Sequence, residues 1–422
     1  MKYKLSQFGK KIEKVSGIKQ LMDDLGQAMT VNKDMLMLGG GNPAHIPAVQ
    51  RRFRQGVKDI LESDRTFEET IGNYDTPQGN PAFLEALAGL LRNELGWSVT
   101  AKNIVLTNGS QSAFFVLFNM FAGRFEDGSY KKILLPLAPE YIGYSDVGLA
   151  ANVELFQSFK PEIEYYDNNL FKYHIDFEKV RITDDVGAVC VSRPTNPTGN
   201  VVTDDEIARL SSLAKARNVP LIIDNAYGIP FPNIIFTEVK PYWDEQTIVC
   251  QSLSKLGLPG ARTGIIIAAE EIVEALSEMN AVITLAPGSV GAALAYDIVK
   301  SGEIIKLSRD VIKPYYEKKA QQALNQFHYG LRGVDYCIHK PEGALFLWIW
   351  FKNLPITTDE LYERLKKRGV LVVPGKYFFA GLSEKWDHAD QCIRVTYSQD
   401  DKIVEAGINI ICEEVKNMVS VH

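Results

Sequence analysis

The feature that most constrains this chain is a series of short, mostly apolar runs. Each closes on a polar or glycine-bearing turn and gives way to a helical or loop pattern. Ile104 to Thr107, Ile133 to Leu137, Gly187 to Ser192, Val219 to Ile223, Thr247 to Cys250 and Gly264 to Ala268 are such runs. Strands without polar alternation are covered on both faces, and strands alternating with helices form mainly parallel sheets. The expected fold class is therefore α/β, a large sheet flanked by helices. Ligands of such sheets sit beyond the carboxyl ends of the strands, where the polar turns of this series fall.

The helices carry their own start signals. Asn80 and Pro81 suit an N-cap and a first helical residue, and Thr203-Asp204-Asp205-Glu206 is a capping box. Val49, Phe53, Val57, Ile60 and Leu61 recur on one face of a helix over 47–62, and Ser16 caps a short amphipathic helix over 16–29. After about residue 305 the pattern changes to helices interleaved with strands at 344–351, 370–373 and 392–397. The 422 residues thus read as a large domain over 45–305 and a smaller α+β domain from 1–44 and 306–422, joined by helical chain around 290–325.

Composition removes several classes of function. A net charge of -6 argues against a nucleic-acid binder. The most apolar run, Ala344 to Phe351, is far too short to span a bilayer, and no long apolar segment follows Met1. Five scattered cysteines read as reduced thiols of a cytoplasmic protein, and no histidine has metal-ligand spacing, so no metal is expected.

The chemistry gathers in Ser252-Leu253-Ser254-Lys255 and the following Gly/Pro-rich turn to Arg262. A lysine at a strand end, with hydroxyls before it and an arginine after it, suits an amine that binds a phosphorylated carbonyl compound. Asn108-Gly109-Ser110-Gln111 runs from a strand into a helix, where free N–H groups and the helix dipole make an anion site. Asp224 follows a strand, where a carboxylate also serves as a turn or cap. Asn196-Pro197-Thr198-Gly199 and Gly39-Gly40-Gly41-Asn42 read equally as plain turns, and Tyr74 and Tyr141 as packed tyrosines.

Taken together, NGSQSAFF, LAPEYIGY, VSRPTNPTGN, DNAYG and SLSKLGLPG resemble the class I/II aminotransferases, pyridoxal 5'-phosphate enzymes of fold type I. The similarity runs along essentially the whole chain. It implies that Lys255 carries the cofactor and moves the substrate Cα proton. It further implies that Asp224 partners the pyridine nitrogen, and that Asn196 and Tyr227 hydrogen-bond the phenolic oxygen. Gly109, Ser110, Gln111, Ser252 and Arg262 would cradle the phosphate, and Tyr141 would stack on the ring. Arg394 would grip the substrate carboxylate, with Gly41 and Asn196 beside it. The resemblance also implies a homodimer with shared sites, Tyr74 reaching the neighbour's phosphate.

The implied substrates are small amino acids and 2-oxo acids, with valine and pyruvate expected. Acid-specific relatives carry a second arginine in a segment roughly equivalent to 280–293, and this chain has none there. The alternatives are another pyridoxal-phosphate enzyme of the same fold, either an aminotransferase for a different amino acid or a C–S lyase, and a non-catalytic aminotransferase-like regulator.

Overall fold

The computed structural model describes residues 3–13, 23, 26, 34–63, 65–149 and 153–419. Its larger sheet has eight strands. In order across it lie Ile104–Thr107, Gly264–Ile267, Thr247–Ser252, Leu221–Asp224, Val186–Ser192 and Tyr130–Leu135; Gly123–Arg124 and Phe156–Ser158 both pair with the last of these. From Thr247–Ser252 to Phe156–Ser158 the pairing is parallel, whereas Gly264–Ile267 runs antiparallel to both neighbours. This mixed but mainly parallel α/β sheet matches the expected class.

The strands are apolar throughout because both faces are covered. Val105, Ile222, Ile248 and Ile266 point into a cluster with Phe114, Phe118, Tyr144 and Leu276. Their neighbours Leu106, Val249, Ile265 and Ile267 pack on the opposite side with Leu87 and Leu91, as the period of two requires. The helix Ser110–Phe121 thus covers one face and Pro81–Leu95 the other. Asn80 accepts from the Phe83 N–H as N-cap, and Thr203 with Glu206 closes the capping box of helix Asp204–Ala216.

A second sheet has the order Val373–Pro374, Cys392–Thr396, Phe346–Phe351, Tyr336–His339, Leu170–His174 and Glu162–Tyr166. The last two strands come from inside the range expected to form the large domain. The hairpin crosses over because Leu170–His174 pairs parallel with Tyr336–His339, burying Phe171 and Tyr173 against Trp348 and Phe378.

One local expectation needs correction, and another is not tested. Helix Pro47–Glu62 forms, but only the Val49 and Phe53 end of its apolar face is buried; Val57 and Leu61 are exposed. The helix expected over 16–29 lies, except for Asp23 and Gly26, outside the described residues.

Candidate active site

The parallel strands end at one edge of the large sheet, and the polar turns expected there line one cavity of about 320 Å³. Gly41, Ser110, Gln111, Tyr141, Asn196, Asp224, Tyr227, Ser252, Lys255, Arg262 and Arg394 all face it. Arg262 arrives by a different route. It precedes an antiparallel strand whose Gly264 pairs with Ser252, so the start of that strand lies at the other strands' carboxyl ends.

Helix Ser110–Phe121 opens with no side-chain cap, leaving its first N–H groups directed to the cavity end. Gly109 holds φ +87°, and a Cβ there would fall 2.2 Å from Arg262 Nη2. Only a residue without a side chain allows the guanidinium to lie against the helix start. Arg262 itself is held at φ +50°, a left-handed conformation unusual for a side chain of its size. The Ser252 hydroxyl accepts from the Ser254 N–H at 3.0 Å, and Gln111 Nε2 donates to the Gly143 carbonyl at 2.8 Å. Hydroxyls, free N–H groups and one guanidinium so arranged fit a phosphate.

Beyond this cradle lie the amine and two charged side chains. Lys255 Nζ donates to the Gly41 carbonyl at 2.6 Å and lies 5.3 Å from the Tyr227 ring centre. Burial, then the nearby Arg394, lowers its pKa to about 8. Asp224 is buried, which raises its carboxyl to about 6; the Tyr144 hydroxyl donates to Oδ2 at 2.7 Å and the Ala226 N–H to Oδ1 at 3.1 Å. Burial likewise pushes the Tyr227 and Tyr141 hydroxyls upward.

Arg394 belongs to the second sheet. A charge in an apolar strand suggests an edge, yet Cys392–Thr396 is flanked on both sides. The guanidinium is instead satisfied from the cavity side. It donates to Asn196 Oδ1 at 2.6 Å and to the Gly39 carbonyl at 2.7 Å, and lies 4.1 Å from the Phe346 ring centre. Its Nε is buried and has no partner among the described residues, and burial lowers its pKa to about 10. Such a cation has capacity left for an anionic ligand.

Of the proposed site residues, Gly109 backs Arg262 without lining the cavity, and Tyr74 lies apart from it. Tyr74 is 81 % exposed and lines a separate groove with Asn73, Ser289 and Tyr296.

Three residues that the motif reading passed over support the site. Glu140 and Tyr144 are buried behind Asp224, and Ser192 is buried beside it at the cavity wall. The Ser192 hydroxyl and Glu140 Oε2 lie 2.6 Å apart, and the Ser192 N–H donates to Glu140 Oε1 at 2.9 Å. A carboxylate beside two tyrosines three residues apart, Tyr141 and Tyr144, was the available signal.

A family described as aminotransferase class I and II matches residues 33–411. The chain is 52% identical over 411 residues to the valine–pyruvate aminotransferase of Escherichia coli (strain K12), covering 97% of this chain and 98% of that protein. It is also similar to the crystal structure of valine-pyruvate aminotransferase from Salmonella typhimurium LT2, with TM-score 0.88, 52% identity, and 96% and 100% of the two chains covered. A putative amino-acid aminotransferase from Psychrobacter arcticum 273-4 superposes with TM-score 0.96 at 47% identity, over 100% of both chains.

Proposed function

The chain belongs to the class I and II aminotransferase family, pyridoxal-phosphate enzymes of fold type I, and from that premise we propose that it moves the amino group between valine and pyruvate, giving 2-oxoisovalerate and alanine. The observation that carries the reading is the meeting of Lys255, Asp224 and Arg394 in one cavity that ends in a phosphate cradle. Identity of 52% to the valine–pyruvate aminotransferase of Escherichia coli, over nearly its whole length, supports the substrate pair.

When bound, pyridoxal 5'-phosphate supplies an electrophilic carbonyl and an electron sink. Ser110, Gln111, Ser252, Arg262 and the N–H groups at the start of helix Ser110–Phe121 would hold its phosphate. Asp224 would partner its ring nitrogen, Asn196 and Tyr227 would donate to its phenolic oxygen, and Tyr141 would supply an aromatic face to its ring. Lys255 would supply the amine that binds its carbonyl and, with its lowered pKa, the base for the substrate Cα proton. Arg394 exchanges some of its present partners for the substrate α-carboxylate, whose two oxygens suit its planar fork. Division into a large body over 45–305 and a small one over 1–44 and 306–422 remains our reading, with the 162–174 hairpin crossing between them.

The active unit we infer is a homodimer. Val57, Leu61, Ile71, Tyr74, Val282, Ile283, Leu285 and Val290 are all exposed. Asn280 Nδ2 donates to the Pro77 and Leu106 carbonyls at 2.8 Å each, tying the Tyr74 loop to the helix that carries Val282. Large exposed apolar groups on adjoining elements suit a second copy of the chain, which would bring Tyr74 to the neighbour's phosphate. The segment 280–293 lies on this surface without an arginine to receive a side-chain carboxylate. Five free buried cysteines agree with a cytoplasmic setting.

Profiling purified protein with amino and 2-oxo acids tests the substrate proposal. Valine with pyruvate should turn over faster than any acidic donor. Aspartate or glutamate outpacing valine, with pyruvate as acceptor, overturns it. Borohydride reduction should leave the pyridoxyl group on the peptide containing Lys255.

A further inference from the structure

From Asp224 a line of buried oxygens runs away from the cavity. Glu140 Oε2 is 2.6 Å from Ser192 Oγ, Ser192 Oγ is 3.4 Å from Tyr144 Oη, and Tyr144 Oη is 2.7 Å from Asp224 Oδ2. Glu140 is 1 % exposed and does not line the cavity, so it is placed to act through other residues.

Counting protons along this line decides its direction. Tyr144 has one hydroxyl proton, and the 2.7 Å contact to the Asp224 carboxylate takes it. The Tyr144 oxygen can then only accept from Ser192. If Glu140 is a carboxylate, the Ser192 proton goes to it instead, and the 3.4 Å contact between Ser192 and Tyr144, already longer than an ordinary O–H···O bond, holds no proton. If Glu140 is a carboxylic acid, every contact holds one proton: Glu140 donates to Ser192, Ser192 to Tyr144, and Tyr144 to Asp224. We propose that Glu140 is a positioning residue that acts as a neutral acid, directing a one-way chain of hydrogen bonds through Ser192 and Tyr144 onto Asp224.

The surroundings agree with a neutral Glu140. The titratable groups facing it are Asp224, Tyr144 and Cys190, which offer no positive charge, and its own N–H donates to the Phe378 carbonyl. Burial, opposed in part by Ser192, raises its carboxyl to about 8. A second carboxylate this close to Asp224 would meet like-charge repulsion in a dry setting, whereas the acid avoids it. The chain favours the anionic form of Asp224, the form that a protonated pyridine nitrogen requires. The inference rests on the proposed role of Asp224 toward that nitrogen.

Glutamine donates an N–H where the acid donates its O–H, so it discriminates position from charge. Glu140→Gln should keep cofactor affinity, measured by equilibrium dialysis, within about threefold of the parent, whereas Glu140→Ala should lose about tenfold or more, as expected when a buried hydrogen-bond partner is removed and its neighbour left unpaired. At neutral pH the infrared spectrum of the parent should contain a carboxylic-acid C=O band that is absent from Glu140→Gln and retained in Asp224→Asn. A missing band, or a Glu140→Gln loss as large as that of Glu140→Ala, overturns the proposal. If Glu140→Ala does not fold, the band and the affinity of Glu140→Gln still decide. Full transaminase activity in Asp224→Asn would instead refute the reading of Asp224, while the band reports on Glu140 alone.

Discussion

The Lys255 ammonium donates to the carbonyl oxygen of Gly41 at 2.6 Å, joining residues 214 positions apart. The amine is thereby aimed at the glycine-rich turn that precedes the large sheet, on the same side as Arg394. A substrate held by Arg394 would bring its Cα to the end of Lys255, which is the geometry a mobile base requires.

Lys255 costs stability in the cofactor-free protein. Its folded pKa of about 8 lies below the ordinary 10.5, so the folded state binds fewer protons than the unfolded state between those values, and stability rises with pH across that window. Lys255→Met should therefore stabilise the cofactor-free protein at neutral pH by about 1–2 kcal/mol, discounting for the opening to solvent. Urea unfolding at neutral and high pH should show the advantage shrinking as pH climbs through the window.

Gly109→Ala tests the phosphate cradle. The added methyl would collide with Arg262 Nη2 and would occupy φ +87°. With ψ at 156°, that backbone is open almost only to glycine and costs a residue with a Cβ roughly 1–3 kcal/mol, and displacing the guanidinium adds to that. Cofactor affinity should fall at least about tenfold, with far-ultraviolet circular dichroism unchanged.

Arg394→Lys tests carboxylate binding. Lysine keeps the charge but loses the two parallel hydrogen bonds and the planar face 4.1 Å from Phe346. We expect kcat/KM for both valine and pyruvate to fall by about a hundredfold, roughly 3 kcal/mol. Cofactor affinity should hold. An unchanged kcat/KM would remove Arg394 from the substrate site.

The dimer is tested at Val282, which is 82 % exposed. Val282→Glu would bury an unpaired charge at the inferred interface, at a cost of several kcal/mol, so sedimentation should show a shift toward monomer. Co-expressing Lys255→Ala and Tyr74→Phe chains should also restore about a quarter of parent activity, because about half of randomly paired dimers carry one intact site. Mixed dimers no more active than Tyr74→Phe alone would refute a shared site.

Much of the site was legible because its chemistry lies in short segments. Gly109 to Gln111 announces an anion site through the strand, glycine and helix-start order, and Ser252 to Arg262 through hydroxyls and cations around a strand end. Those signals depend on spacing along the chain, which sequence records directly. Glu140 escaped notice because a carboxylate in a loop looks solvated until the fold closes over it. Val57 and Leu61 show the opposite limit: helical spacing marks an apolar face, but not what packs against it, and both are exposed in this chain.

Sequence alone determined the α/β class, since strands apolar on both faces can be satisfied only inside a sheet covered on both sides. It also determined that the polar turns share one edge, because parallel strands end together. Tertiary structure decided what could not be local. It ran Gly264–Ile267 antiparallel, so Arg262 reaches that edge from the far end of its strand, and it drew the 162–174 hairpin into the second sheet. It also placed Arg394 inside a sheet and Glu140 behind Asp224. Each of these depends on contacts between residues distant in the chain, and the pairing of distant segments is set by the total burial of the folded molecule, which no short window contains.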